Sequence, residues 1–172
     1  MSGDAPLLGW GHININVSDL DRSIAFYRKL GFDIFIPGIP YLALDASPDP
    51  KPLPDDVADA LGVARGTKGR ACIMQLNDGF PKIDLTEFSG QDQKAALDNA
   101  DLGLVRICLV SEDLARDVAD LKAKGVEFLS DLKPGHKGLG DVAVCKDPDG
   151  TLIELLQVYL DRWQAILSGE GS

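Results

Sequence analysis

Cysteine is scarce and badly placed for cross-linking. Cys72, Cys108 and Cys145 are odd in number, widely spaced and form no Cys-x-x-Cys pair. Each sits in an apolar, strand-like run (ACIMQL, RICLV, DVAVCKD), so buried reduced thiols are expected and a disulfide framework is not. Positive charge is also short. Lys and Arg total 17 against 27 Asp and Glu, a formal net charge of −10, which disfavours nucleic acid and anionic membranes as partners. The opening residues lack a charged-then-apolar leader, and no apolar run reaches about 18 residues. A soluble, cytoplasmic protein is expected. With 45% hydrophobic and 26% charged residues, the 172-residue chain has the composition of one domain, or of two closely packed half-domains, with a sizeable core.

What the chain does contain is a repeat. At a constant offset of 94, residues 11–35 lie against residues 105–129 without a gap. Asp19 falls on Asp113, Leu20 on Leu114, Arg22 on Arg116, Ala25 on Ala119 and Gly31 on Gly125. Such self-similarity implies two copies of one supersecondary module. It also pairs His12 with Arg106.

The local pattern defines the module. Residues 12–17 alternate, with His12, Asn14 and Asn16 on one face and Ile13, Ile15 and Val17 on the other, as a strand requires. Ser18-Asp19 is a helix N-cap, and a helix over 20–30 would bury Leu20, Ile24, Tyr27 and Leu30 before Gly31 closes it. Strands are expected at 32–36, 70–76 and 82–88, the last two joined by the turn Asn77-Asp78-Gly79. The first module, 9–88, is thus βαβββ. After a linker at 89–103, the second module (104–158) repeats the order: strand 104–110, helix 113–124, strands 126–129, 140–146 and 151–158. Asp147-Pro148-Asp149-Gly150 supplies the last turn. A Pro- and Gly-rich insertion at 37–69, with a helical piece at 55–61, is either a ligand wall or a surface excursion. Residues 159–168 read as an amphipathic helix, followed by a polar tail to 172.

The opening motif GHIxxxVxDLxxSxxFYxxLGF and the closing Asp147-Pro148-Asp149-Gly150-Thr151-Leu152-Ile153-Glu154-Leu155 resemble the vicinal oxygen chelate superfamily, the glyoxalase, bleomycin-resistance and extradiol dioxygenase group. The resemblance spans residues 9–158 apart from the insertion. It implies an α+β fold in which two tandem βαβββ modules form an eight-stranded, open, cup-shaped mixed sheet with helices outside. It also implies a site drawn from the first and last strands of each module: His12 and Asp84, then Arg106 and Glu154, with Asp84 and Glu154 related by an offset of 70. Where the metal-bearing pattern expects His, this chain has Arg106, and a guanidinium cannot ligate a cation.

Two readings follow for cofactors. Either no metal is held and Arg106 forks between Asp84 and Glu154, or one divalent ion (Zn, Ni, Fe, Mn or Mg) sits on His12, Asp84 and Glu154. Asn14 and Asn16 share the face of His12, and the loop carrying His136 and Lys137 could bind an anionic group; these join Arg106 as candidate substrate contacts. Plainer alternatives stand beside them. His12 could be an ordinary strand histidine, Asp84 and Glu154 solvated strand carboxylates, and 133–140 a solvated loop. Trp10 could be core or pocket wall, Tyr27 reads as helix core, and Glu87 as solvated.

Two functions compete. One is a lyase or isomerase acting on a small oxygenated molecule, with Glu154 or Asp84 as base near His12. The other is a metal-free protein that binds or sequesters a small molecule. Extradiol cleavage and glutathione-linked glyoxalase chemistry are disfavoured by the missing second His. A homodimer is expected from the apolar C-terminal helix around Trp163 and Ile166.

Overall fold

The duplication read from the sequence reappears in the backbone, register for register. The computed structural model describes residues 8–168, and the chain divides into two compact units on either side of Gln93 and Lys94. The fold is α+β, and each unit carries one βαβββ module.

The first unit runs β1 (His12–Asn16), α1 (Leu20–Lys29), β2 (Phe32–Ile36), β3 (Gly38–Ile39), β4 (Leu44–Asp45), β5 (Lys51–Pro52), α2 (Asp55–Leu61), β6 (Lys68–Leu76) and β7 (Lys82–Phe88). Its mixed sheet has the order β1-β7-β6-β2, with β5 added on β6, and β1 lies parallel to β7. The second unit runs β8 (Arg106–Val110), α3 (Leu114–Ala123), β9 (Glu127–Phe128), β10 (Lys133–Pro134), β11 (Gly140–Lys146), β12 (Leu152–Val158) and α4 (Leu160–Leu167). Here β8 lies parallel to β12, β11 pairs antiparallel with β12, and β9 and β10 both join β11. The eight expected strands are four per unit, and one short strand extends each sheet.

The two helices start by the same device. Asp19 Oδ1 accepts from the Arg22 N–H at 3.0 Å, and Asp113 Oδ1 accepts from the Arg116 N–H at 3.1 Å. A second cap comes from the last strand. Glu87 Oε2 accepts from the Leu20 N–H at 2.7 Å, and Gln157 Oε1 from the Leu114 N–H at 2.9 Å. Glu87 is therefore a helix cap and not a solvated carboxylate; an acid there also suits the positive end of the helix dipole. The buried stripe of α1 is Leu20, Ser23, Phe26 and Tyr27, while Ile24 and Leu30 are only partly covered. Tyr27 takes the centre, edge-on to Phe26 and Phe32 at 5.3 and 5.7 Å. That ring cluster rotates the stripe away from Ile24.

Strand alternation then separates two faces of the first sheet. Ile15, Val17, Cys72, Met74, Ile83 and Leu85 are buried with α1. The opposite face holds His12, Asn14, Asn16, Asp84 and Thr86; the insertion packs over its β6 and β7 part, where Asp84 and Thr86 are buried, and leaves the three β1 side chains exposed. Ile39, Leu42, Leu44, Leu53 and Ala58 of the insertion form a core with Ala71, against which Ile73 and Phe88 pack. A segment with its own core that covers part of one face of a sheet is a wall, not an excursion.

Two other expectations, for Cys108 and Trp10, need correction. Cys72 and Cys145 are buried, but Cys108 is exposed because β8 leaves Arg106, Cys108 and Val110 uncovered on one face. Trp10 is largely exposed, neither core nor wall. His136 and Lys137 are exposed on a single 3-10 turn. That turn is tied to α4, since the Trp163 indole N–H donates to the Leu139 carbonyl at 2.8 Å and Arg162 donates to the Gly138 carbonyl. The side chain of Ile166 lies outside the described residues. No helix among the described residues is long and apolar enough to cross a membrane.

Candidate functional site

The register of the parallel strand pairs decides which polar side chains meet. In the first unit Asn14 lies opposite Asp84, and in the second Cys108 lies opposite Glu154, the same positions under offsets of 94 and 70. Each unit therefore brings together one pair from the expected set. His12 Nε2 stands 3.3 Å from Asp84 Oδ2, and Arg106 Nε donates to Glu154 Oε2 at 2.6 Å.

The first pair has a third member that the sequence did not reveal. Tyr41 sits on a 3-10 turn over Pro40–Leu42, begun by the fixed φ of Pro40 and closed by Ala43 in the left-handed region. Its hydroxyl donates to Asp84 Oδ2 at 3.0 Å and lies 3.5 Å from His12 Nε2. Two groups thus converge on one carboxylate oxygen. The other, Oδ1, is buried with no hydrogen-bond partner among the described residues. Asp84 is 1% exposed and His12 is 42% exposed, so the carboxylate lies behind the imidazole. Burial pushes the Asp84 carboxyl above the ordinary carboxylate range, against the Tyr41 hydrogen bond and the charge of His12, which favour its ionised form. Tyr41 is largely exposed as a residue, but its hydroxyl end meets that carboxylate. Burial first, then the bond to Asp84 and its charge, push the phenol up to about 12. An orphaned carboxylate oxygen costs at least about 1–3 kcal/mol, and such a cost is commonly retained where function needs it.

These groups line a cavity of about 370 Å³. Its sheet side is polar: His12, Asn14, Asn16, Asp84 and Thr86. Leu42, Leu61 and Val63 of the insertion form an apolar wall, completed by Tyr41 and Phe88. Arg70 fastens the insertion in place. It donates to the Ser47 carbonyl at 2.7 Å and the Ala46 carbonyl at 3.1 Å, and pairs with Asp21 at 2.9 Å and Glu87 at 3.4 Å.

The second unit builds a different environment on the same positions. Arg106 Nη1 also donates to Asn99 Oδ1 at 2.9 Å, and the Cys108 sulfur stands 3.8 Å from Glu154 Oε1. Desolvation, then the charge and hydrogen bond of Glu154, push the Cys108 thiol up, with Arg106 opposing. This is a protonated thiol, not a reactive thiolate.

Within each unit the donors fall short of the metal-bearing pattern. Glu154 has one oxygen committed to a guanidinium, the position that should carry His is the guanidinium itself, and His12 with Asp84 makes two donors. Among the described residues no group of three His, Cys, Asp or Glu side chains is gathered to hold a cation.

The α+β duplication is a two-module scaffold, and the cavity on its first module has the size of a ligand pocket. The pattern of the Glyoxalase/Bleomycin resistance protein/Dioxygenase superfamily matches residues 9–155, and the chain belongs to that superfamily. It is similar to a lactoylglutathione lyase of Pseudomonas aeruginosa, 26% identical over 162 residues that cover 88% of this chain and 84% of that protein. A glyoxalase family protein from Bacillus cereus has a similar fold, with a TM-score of 0.69 at 19% identity over 92% of this chain and 98% of that one. The trypanothione-dependent glyoxalase I of Leishmania major gives 0.57 at 24% identity, over 93% and 95% respectively.

Proposed function

We propose that the protein is a lyase or isomerase that moves a proton at a carbon next to a carbonyl, in a small oxygenated molecule held in the first-unit cavity. The observation that carries this reading is the half-exposed His12 backed by a buried carboxylate that Tyr41 also engages. With Nε2–H turned to Asp84 Oδ2, the imidazole keeps a free Nδ1 lone pair to accept the substrate proton. The imidazolium that forms stays beside the Asp84 carboxylate, which stabilises it, and the Tyr41 hydrogen bond favours the ionised form of that carboxylate. The Asn16 amide, on the same strand face, donates to the developing enolate oxygen. Returning the proton to the former carbonyl carbon of a 2-hydroxy substrate, as its hydroxyl becomes the new carbonyl, gives isomerisation; expelling a leaving group from the carbon beyond the deprotonated one, with the imidazolium proton passing to that group, gives elimination. Arg106, in place of a metal ligand, is committed to Glu154 and supplies a fixed positive charge in the second unit. The lyase relative supports this class of chemistry.

The test is solvent deuterium exchange, followed by proton NMR, at C2 of a panel of 2-hydroxy thioesters, amides and ketones that includes S-lactoylglutathione. Wild-type protein should exchange at least one member. The competing reading is a sequestering protein, favoured by the closed Arg106–Glu154 pair; saturable binding with no exchange of any member would establish it. A homodimer is proposed as well, because Leu160 and Trp163 leave α4 with exposed apolar surface; light scattering that returns a monomer at micromolar concentrations would remove it.

A further inference from the structure

We propose that the first-unit cavity selects an uncharged ligand, with a carbonyl or hydroxyl at one end and a compact apolar group at the other, and rejects a carboxylate or phosphate of the same shape. This rests on the reading of that cavity as the ligand site and names the class of ligand it takes. The cavity has two chemically different ends. At the polar end, Thr86 Oγ1 donates to Asn14 Oδ1 at 3.0 Å and Asn14 Nδ2 donates to Asn16 Oδ1 at 2.9 Å. This ladder fixes both amides and leaves the Asn16 amide hydrogens for a ligand oxygen. At the other end, Leu42, Leu61, Val63 and Phe88 offer only carbon. At about 370 Å³ the space is near the lower limit of ligand pockets, so the apolar group is compact.

Charge decides the rest. No Lys or Arg is among the described residues that line the cavity, and His12 is the one lining side chain able to become cationic. That imidazole is already matched by Asp84, 3.3 Å away. An anionic ligand would lose its hydration, find no free counter-charge and face a buried carboxylate. Repulsion of this kind is an efficient route to specificity.

Mandelamide and mandelate test the proposal directly, because they share the hydroxyl and the phenyl ring and differ in an uncharged amide against a carboxylate. Each is titrated into the full chain and followed by nitrogen-15 NMR of the Asn14 and Asn16 side-chain amides. Mandelamide should bind at least about tenfold more tightly than mandelate. Leu61→Lys places a cation on the wall at the half-exposed last residue of α2, and should shift that ratio by about tenfold toward mandelate. Mandelate binding as tightly as mandelamide, a ratio unmoved by Leu61→Lys, or no perturbation of either amide by millimolar probe would each overturn the proposal. Binding is read without turnover. A protein that discriminates but exchanges no C2 proton keeps this ligand class and loses the proposed catalysis; the converse result separates them the other way.

Discussion

Replacing Arg70 with Met removes a guanidinium while keeping an unbranched apolar side chain, and so isolates what the charge does. The Arg70 side chain is 8% exposed and serves four acceptors: two carbonyls of the insertion, the Asp21 carboxylate and the Glu87 carboxylate. Breaking a fully buried ion pair by removing one partner costs about 3–5 kcal/mol. Two features lower that figure. Asp21 is largely solvated, so its share is small, and Glu87 retains the Leu20 N–H. The two carbonyls return about 1 kcal/mol each. The net loss should be about 3 kcal/mol, a fall in Tm of about 6–12 °C for a chain of this size. Urea denaturation followed by circular dichroism measures it, with the m-value expected to stay at the wild-type figure. Arg70→Lys should recover part of the loss, because one ammonium cannot span four acceptors in a fork. A loss below about 1 kcal/mol would mean that the network acts like a surface ion pair, and the claim that Arg70 anchors the insertion wall would fail.

The same reasoning gives smaller effects elsewhere. Gln157→Ala should cost about 1 kcal/mol by leaving the first N–H of α3 without its acceptor, and Glu87→Ala should cost about 2 kcal/mol because it also strips Arg70 of a partner; chemical denaturation of the two variants side by side checks the order. Arg106→Ala should cost about 1 kcal/mol, well short of a buried pair, because Arg106 is 40% and Glu154 19% exposed; a loss above about 3 kcal/mol would show that the pair is shielded from solvent. Asp84→Asn has a sign that depends on pH. Burial raises the folded-state pKa of Asp84, so its contribution is complete below the unfolded value and is lost as pH rises through the folded one. The stability of wild type relative to Asp84→Asn should therefore fall as pH rises through and above the ordinary carboxylate range, and denaturation curves taken at a series of rising pH values should show it. A difference that grows in favour of wild type would mean that the His12 and Tyr41 contacts outweigh burial.

Much of the fold was legible because the local rules and the duplication agreed. Asp19 and Asp113 cap, Gly31 and Gly125 take the left-handed turn after each helix, and α2 and β7 fall on the expected residues. Each such feature depends on near neighbours in sequence. The cap from Glu87 was missed, although the offset of 70 that relates Asp84 to Glu154 also relates Glu87 to Gln157. Alternation sets Glu87 on the face of β7 opposite Asp84, but alternation alone does not say that a helix N-terminus waits there. Tyr41 was illegible for a different reason. It lies in a non-repeated insertion and reaches Asp84 across 43 residues of sequence, a contact set by how the insertion folds back on the sheet. Cys108 was misread because RICLV looks like a strand buried on both faces, whereas β8 is covered on one.

The central claim is that His12, backed by Asp84, is the proton acceptor of a ligand site in the first unit. Its most direct test is the rate of C2 deuterium exchange by wild type, His12→Gln, Asp84→Asn and Glu154→Gln, on whichever panel member wild type exchanges fastest. His12→Gln should lower the rate by about 10²–10⁴, the usual contribution of a positioned general base. Asp84→Asn should also lower it by at least about tenfold through loss of imidazolium stabilisation, and Glu154→Gln should leave it within a few-fold of wild type. Wild-type rates in His12→Gln, or a collapse confined to Glu154→Gln, would contradict the account and place the reacting base elsewhere.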